Sequence, residues 1–293
     1  IQLPAEVVFK TNSVFFGQPF HITNTIIAML IGDALLFLMA FAFYRSTRQE
    51  NAIPKGISGA VEGLLEALYN LTGSAAGKWT KTIFPIFATI TLSVLVWNWM
   101  ELIPGVDSIG FFDAHHVENA ENCNFDEWNG ITLVRSDPDN FDPTCAASVI
   151  PFVRVASTDL NFTIGLALIS VVAVQWIGIR SLGLGYFKKF FNTSTLFSVP
   201  VFGVIDFAVG LLELVGEFAK ILSFAFRLFG NIFAGSVLLF VIGSLVPVAM
   251  QTGFLMLEFF VGLIQAIVFG MLTMVFMSQA TVGHGDDHAE EHN

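Results

Sequence analysis

Arg227 sits in the stretch Phe224-Ala-Phe-Arg-Leu-Phe-Gly-Asn-Ile-Phe-Ala-Gly235, where hydrocarbon would otherwise be expected. A guanidinium cannot be neutralised by losing a proton, and at the centre of a membrane helix it costs roughly 2.5 to 3.5 kcal/mol. At seven-residue steps of a 100° helix, Glu213, Lys220 and Arg227 share a face, with Ser223 and Asn231 one turn to either side of the arginine. Glu217 adds a second acid on the N-terminal side. A later segment carries its own stripe of Gln251, Glu258, Gln265 and Gln279, with Leu272 filling the gap. Two polar stripes on antiparallel neighbours imply a shared hydrated seam. Interhelical hydrogen bonding, under about 1 kcal/mol per contact on average, would account for the Asn and Gln but not for carboxylates together with an arginine. A fixed positive charge between two half-open wet paths bars ion leakage and attracts a carboxylate on a moving partner.

The elements that position these groups must be membrane helices. Of 293 residues, 54% are hydrophobic and 13% charged, against roughly 25% charged in a soluble domain; mean hydropathy is +0.71. The formal charge of -11 is local. Between residues 104 and 150 nine acids face Arg135 alone, and Asp286, Asp287, Glu290 and Glu291 lie at the end; together these stretches net -12, which leaves the remainder at +1. No basic patch is left to bind nucleic acid. The chain begins at Ile1, which reads as a processed or trimmed start.

In chain order, residues 1–21 read as an external lead, and residues 22–43 as a first span interrupted by Asp33. Asp33 is a functional candidate by position, but a carboxyl protonated or hydrogen-bonded against a partner helix explains it equally well. Residues 44–82, with Arg45, Arg48, Lys55, Lys78 and Lys81, form a cytoplasmic loop by the positive-inside rule. Within that loop Ile57, Val61, Leu64, Leu65, Leu68 and Leu71 recur at helical spacing, which predicts a helix lying on the membrane surface or against a partner. Residues 83–103 form the second span, with Trp97 and Trp99 expected in an interfacial belt. Residues 104–151 form an external acidic loop whose oxidising face predicts a Cys123–Cys145 disulfide, two inert free thiols being the alternative. The adjacent His115 and His116 are poorly spaced for one metal, and no metal site is expected.

Residues 161–179 form the third span. Gly183 and Gly185 mark a turn, since neither a preceding strand nor a third glycine completes a phosphate-binding pattern. Segments 201–246 and 250–282 would be about 69 and 50 Å long as helices, well beyond a bilayer core of about 30 Å. The expected fold class is therefore all-α: a polytopic membrane protein of one domain, with three near-upright spans and two long, steeply tilted helices forming a hairpin. Residues 283–293 are expected as a solvated cytoplasmic tail despite their histidines.

The motif Phe226-Arg-Leu-Phe-Gly-Asn-Ile-Phe-Ala-Gly235, with Gln265-Ala-Ile-Val-Phe, Met271-Leu-Thr-Met-Val-Phe-Met-Ser278, Met100-Glu-Leu-Ile-Pro104 and Asp159-Leu-Asn161, resembles subunit a of the F-type ATP synthase, of bacterial type. The resemblance implies a stator subunit of the Fo motor with Arg227 as the essential stator arginine, facing the ion-binding carboxylate of each subunit of a rotor ring of c subunits. It implies Asn231, Gln265 and Glu101 along an outer access path and Glu213 or Glu217 near an inner one. It also implies peripheral-stalk b subunits and the remainder of the F1Fo complex as partners, no cofactor, and ATP chemistry carried out elsewhere. The expected location is a bacterial plasma membrane, or alternatively an organelle's energy-transducing membrane, with the N-terminus outside and the C-terminus cytoplasmic. Many bacterial relatives have Glu where this chain has Ser236, so Glu258 is expected to serve alone as the outer-path carboxylate. The alternative from a different class is a secondary transporter, whose usual internal repeats the chain lacks.

Overall fold

The computed structural model describes residues 7–15, 18–47, 57–103, 110–112, 125–128, 131–134, 149–151, 154–183, 185–186, 200–245 and 249–282. Helices dominate: α1 (Asn24–Thr47), α2 (Ile57–Ala76), α3 (Thr80–Met100), α4 (Leu160–Leu182), α5 (Pro200–Leu245) and α6 (Ala249–Ala280). Among the described residues, five runs are long and apolar enough to cross a membrane, α2 and α3 counting as one. The protein is a polytopic all-α membrane protein.

Local chemistry explains the helix ends. Asp159 caps α4 by accepting a hydrogen bond from the Asn161 amide at 2.9 Å. Pro200 opens α5, where a missing N–H costs nothing. Gly183, at φ +60°, ends α4 and returns its N–H to the Ile179 carbonyl, so the glycine pair does mark a turn. A 3-10 turn at Gly77–Trp79 joins α2 to α3 with almost no interruption, and α2 turns Leu68 and Thr72 into the core.

The core is an α3, α4, α5 and α6 assembly in two clusters. One joins Val94 and Leu95 of α3, Ala167 and Val171 of α4, Phe224 and Leu228 of α5, and Ala266 and Phe269 of α6. The second joins Leu68, Ile83, Phe87, Ile177, Tyr186, Met274 and Met277. Helices α3 and α6 approach closely because Gly270 has no side chain: a Cβ there would run into the Thr91 hydroxyl and sit 2.9 Å from Phe87 Cε2. Gly270→Ala is expected to destabilise the protein by about 1 to 3 kcal/mol through overpacking, read as earlier thermal unfolding in detergent; an unchanged transition would contradict this packing.

One sequence expectation needs revision. Trp97 and Trp99 do not form a lipid-facing belt: Trp97 is buried edge-on against Phe162, and Trp99 stacks on Phe259 at 4.6 Å while donating to its carbonyl at 3.3 Å. For Trp99 another helix supplies both apolar surface and an acceptor, whereas Trp97 is held by packing alone, its Nε1 having no hydrogen-bond partner among the described residues. Beside the helices, the described residues form three short antiparallel two-stranded ribbons: β1 (Val7–Phe15) with β2 (Gln18–Thr23), β3 (Gly110–Phe112) with β6 (Val149–Pro151), and β4 (Phe125–Trp128) with β5 (Ile131–Val134). The β3–β6 pairing closes the long acidic loop at its base. Cys123, Cys145, His115, His116 and the terminal histidines lie outside the described residues. Asp33 stands on the exposed face of α1, between the outward-facing Leu30 and Phe37.

Candidate functional site

Helix α5 carries the arginine on a face that the other described residues leave open. Arg227 is exposed, as are Leu222 and Phe226 beside it, while Phe224, Ala225 and Leu228 turn inward. No described side chain forms an ion pair or hydrogen bond with the guanidinium. Lys220, Ser223 and Arg227 line a cavity of about 260 Å³, walled on the opposite side by Leu272 and Phe276 of α6. Leu272, the apolar gap in the polar stripe of α6, therefore faces the arginine's own cavity.

The register of the α5–α6 hairpin can be followed residue by residue. Gly243 lies against Gln251, Gly235 against Glu258, and the Phe224 ring against Phe269 at 4.8 Å. Arg227 is accordingly level with Ala266 and next in height to Gln265. Gln265 is 9% exposed, and neither its Nε2 nor Asn231 Nδ2 has a hydrogen-bond partner among the described residues. Buried amide nitrogens of this kind demand an acceptor, and water is the available one in a polar seam.

About 14 Å along α5 beyond Arg227 lies a first polar group. The Ser236 hydroxyl donates to Glu101 Oε1 at the end of α3. One residue earlier, Gly235 leaves room for the Glu258 carboxylate: a Cβ at 235 would sit 2.5 Å from its Cδ and 2.7 Å from Oε2. Glu258 is 6% exposed, and its Oε1 has no hydrogen-bond partner among the described residues. Helix α6 is held to α3 at this height by Asn98 Nδ2, which donates to the Gly262 carbonyl at 3.2 Å, and by the Trp99 bond to Phe259. Two carboxylates, Glu101 and Glu258, thus lie against consecutive residues of α5.

On the other side of Arg227, about 15 Å back along the helix, lies a second group. Lys220 Nζ bonds Glu217 Oε1 at 2.7 Å and lies 4.6 Å from the Phe276 ring centre. Glu217 is buried, with Oε2 lacking a hydrogen-bond partner among the described residues, and Glu213 is half-buried one turn earlier. Tyr186 joins this group from beyond α4. Burial, then the charges of Glu217 and Glu213, push its phenol up to about 12, against a smaller opposing effect of its hydrogen bond with Gln175. Sequence reasoning reached Arg227, Asn231, Gln265, Glu101, Glu258, Ser236, Ser223, Glu213 and Glu217. It missed Tyr186 and Gln175, which carry no helical-stripe signal, and Gly235, whose role depends on what faces it. Among the described residues no cluster of metal-ligating side chains occurs.

Comparison with known proteins agrees with this geometry. A model of the family described as "ATP synthase A chain" matches residues 26–278. "ATP synthase subunit a" of Marinomonas sp. (strain MWYL1) is 30% identical over 262 residues, covering 87% of this chain and 82% of the relative. The protein of the same name from Gloeobacter violaceus is 28% identical over 273 residues, 93% of this chain and 87% of the relative. "ATP synthase subunit a, sodium ion specific" of Propionigenium modestum is 29% identical over 271 residues, 91% and 76% of the two chains. A lone arginine on an open apolar face, with acids grouped on both sides of it, and a match over nearly all of its length lead to one conclusion: the chain belongs to the ATP synthase A chain family.

Proposed function

We propose that the chain is the stator subunit of the Fo motor, passing protons to and from a rotor-ring carboxylate through two offset half-paths on either side of Arg227. The observation that carries this reading is the exposed Arg227 on an apolar face, with no acid among the described residues paired to it. A cation so placed needs an anion from another subunit. On this reading Glu101, Ser236 and Glu258 form the end of the outer path, Asn231 and Gln265 hydrate the approach to the arginine, and Ser223, Glu213 and Glu217 belong to the inner path. A proton entering from outside neutralises a ring carboxylate, which turns into the lipid. A second carboxylate, arriving from the other side, is drawn to Arg227 and gives its proton to the inner path. Each charge crossing 100 mV is worth about 2.3 kcal/mol, so several transfers must be summed by rotation before ATP is made in other subunits. The N-terminus lies outside and the C-terminus in the cytoplasm, beside the c-ring and the peripheral-stalk b subunits.

Sidedness tests the two half-paths. With the native cysteines replaced, single cysteines at Ser236 and at Glu217 are labelled in the assembled complex with a charged, membrane-impermeant thiol reagent. Position 236 is expected to react only from the outside and position 217 only from the cytoplasmic side. Labelling of both from one side would overturn the arrangement.

A further inference from the structure

Tyr186 has no part in the scheme above, yet its seat is built with care. It lies four residues after α4 and is 2% exposed, among the largest fully buried side chains of the described residues. Its ring occupies a notch made by Gly178 of α4: a Cβ there would meet the ring at Cε2 and lie 2.7 Å from Cζ. The positive φ of Gly183 lets the chain double back so that residue 186 reaches residue 178. On its apolar side the ring joins the cluster of Ile83, Phe87, Ile177 and Met277. On its polar side the hydroxyl bonds the Gln175 side chain and feels the charges of Glu217 and Glu213, the former paired with Lys220.

A phenylalanine would fill the same apolar notch. Burying a hydroxyl instead costs free energy unless it is hydrogen-bonded, and here a second polar side chain, the half-buried Gln175, supplies that bond. A phenol that holds its proton up to about pH 12 stays neutral at any working pH, both donor and acceptor.

We propose that Tyr186 is a positioning residue of the inner path: seated in the Gly178 notch, anchored on Gln175 and packed in the cluster whose Phe276 lies under the Lys220–Glu217 pair, it keeps a hydroxyl on the side of Glu213 and Glu217 and orders the hydrogen bonds through which a proton reaches the inner side. The inference rests on the reading that Glu213 and Glu217 line that path. It explains why residues from α4, from the turn after it and from α5 converge where apolar packing alone would need no polar atom. Lys220 holds one oxygen of Glu217, and the other has no hydrogen-bond partner among the described residues.

The test uses the complete complex in proteoliposomes, with pH varied separately on each face. Tyr186→Phe keeps the ring and is expected to assemble. It is expected to lower proton flux about tenfold, the size of one lost hydrogen bond in the rate-limiting step. The dependence on inner-side pH is expected to move by about half a unit while the outer-side dependence stays in place, a selectivity that a merely structural residue would not produce. Combined with Glu217→Gln, the loss is expected to be less than the product of the two single losses. Wild-type flux and an unmoved inner-side profile in Tyr186→Phe, with Glu217→Gln changing that profile, would overturn the role of Tyr186 alone. An unmoved profile in both variants would overturn the inner-path reading with it. Should Tyr186→Phe fail to assemble, Gln175→Leu removes the anchor of the hydroxyl and leaves the notch intact. The same one-sided shift is then expected, and its absence would overturn the proposal.

Discussion

Arg227→Ala is expected to leave the complex assembled and to abolish ATP-driven proton pumping into inverted vesicles. The expected loss is at least about a hundredfold. Removing one partner of an ion pair in a low-dielectric site costs about 3 to 5 kcal/mol, because the other charge is left unpaired, and each 1.36 kcal/mol is a factor of ten in rate. Assembly survives because Arg227 is exposed and bonds no described side chain, so α5 packs through Phe224, Ala225, Leu228 and Ile232 without it. Arg227→Lys is expected to recover little, since a compact ammonium does not reproduce the planar guanidinium fork facing a carboxylate. The measurement pairs vesicle acidification with recovery of the soluble ATPase sector on the membranes. Pumping near wild type in Arg227→Ala would remove the stator reading. A transporter would instead lose one substrate, and a scaffold would lose little.

Glu258→Gln is expected to lower pumping by about tenfold to a hundredfold, the range for loss of one well-placed proton-transfer group. The amide matches the carboxyl in size and sits in the same place against Gly235, so packing is kept while the titratable site is lost. Gly235→Ala is expected to give a comparable loss by the opposite route, since the added Cβ falls on the carboxylate and expels it from its seat. Glu101→Gln is expected to be milder, because the Ser236 hydroxyl can still donate to its side-chain oxygen. Pumping unchanged by Glu258→Gln would remove Glu258 from the outer path. A loss in Glu101→Gln equal to that in Glu258→Gln would show the two carboxylates acting as one unit rather than in series.

Much of the architecture was legible in the sequence because membrane helices announce themselves locally. The expected segments 22–43, 83–103, 161–179, 201–246 and 250–282 match α1, α3, α4, α5 and α6 to within a few residues at each end. Apolar length and proline positions operate within one segment and need no knowledge of its neighbours. The ribbons outside the helices were not legible. Their strands are short, and pairs such as β3 with β6 join residues about forty apart, a register that no local pattern encodes. The two tryptophans at the end of α3 were misjudged for a related reason. Their position along the chain suggested an interface, and only the packing of α1, α4 and α6 around them decided which way they faced.

The candidate site divides along the same line. The sequence by itself determined that an unneutralisable cation sits amid hydrocarbon on α5, that Glu213, Lys220, Ser223 and Asn231 share its stripe, and that α6 repeats the pattern with Glu258 and Gln265, because a fixed turn angle orders side chains on one helix whatever surrounds it. Only the tertiary structure decided that Glu258 nests on Gly235, that Glu101 accepts from Ser236, that Leu272 walls the arginine's cavity, and that Tyr186 reaches back to Gly178. These meetings depend on how far one helix slides and turns against another. That is settled by the packing of small and large side chains at α3–α6 and α5–α6, a sum of many contacts between distant parts of the chain that no single stretch of it records.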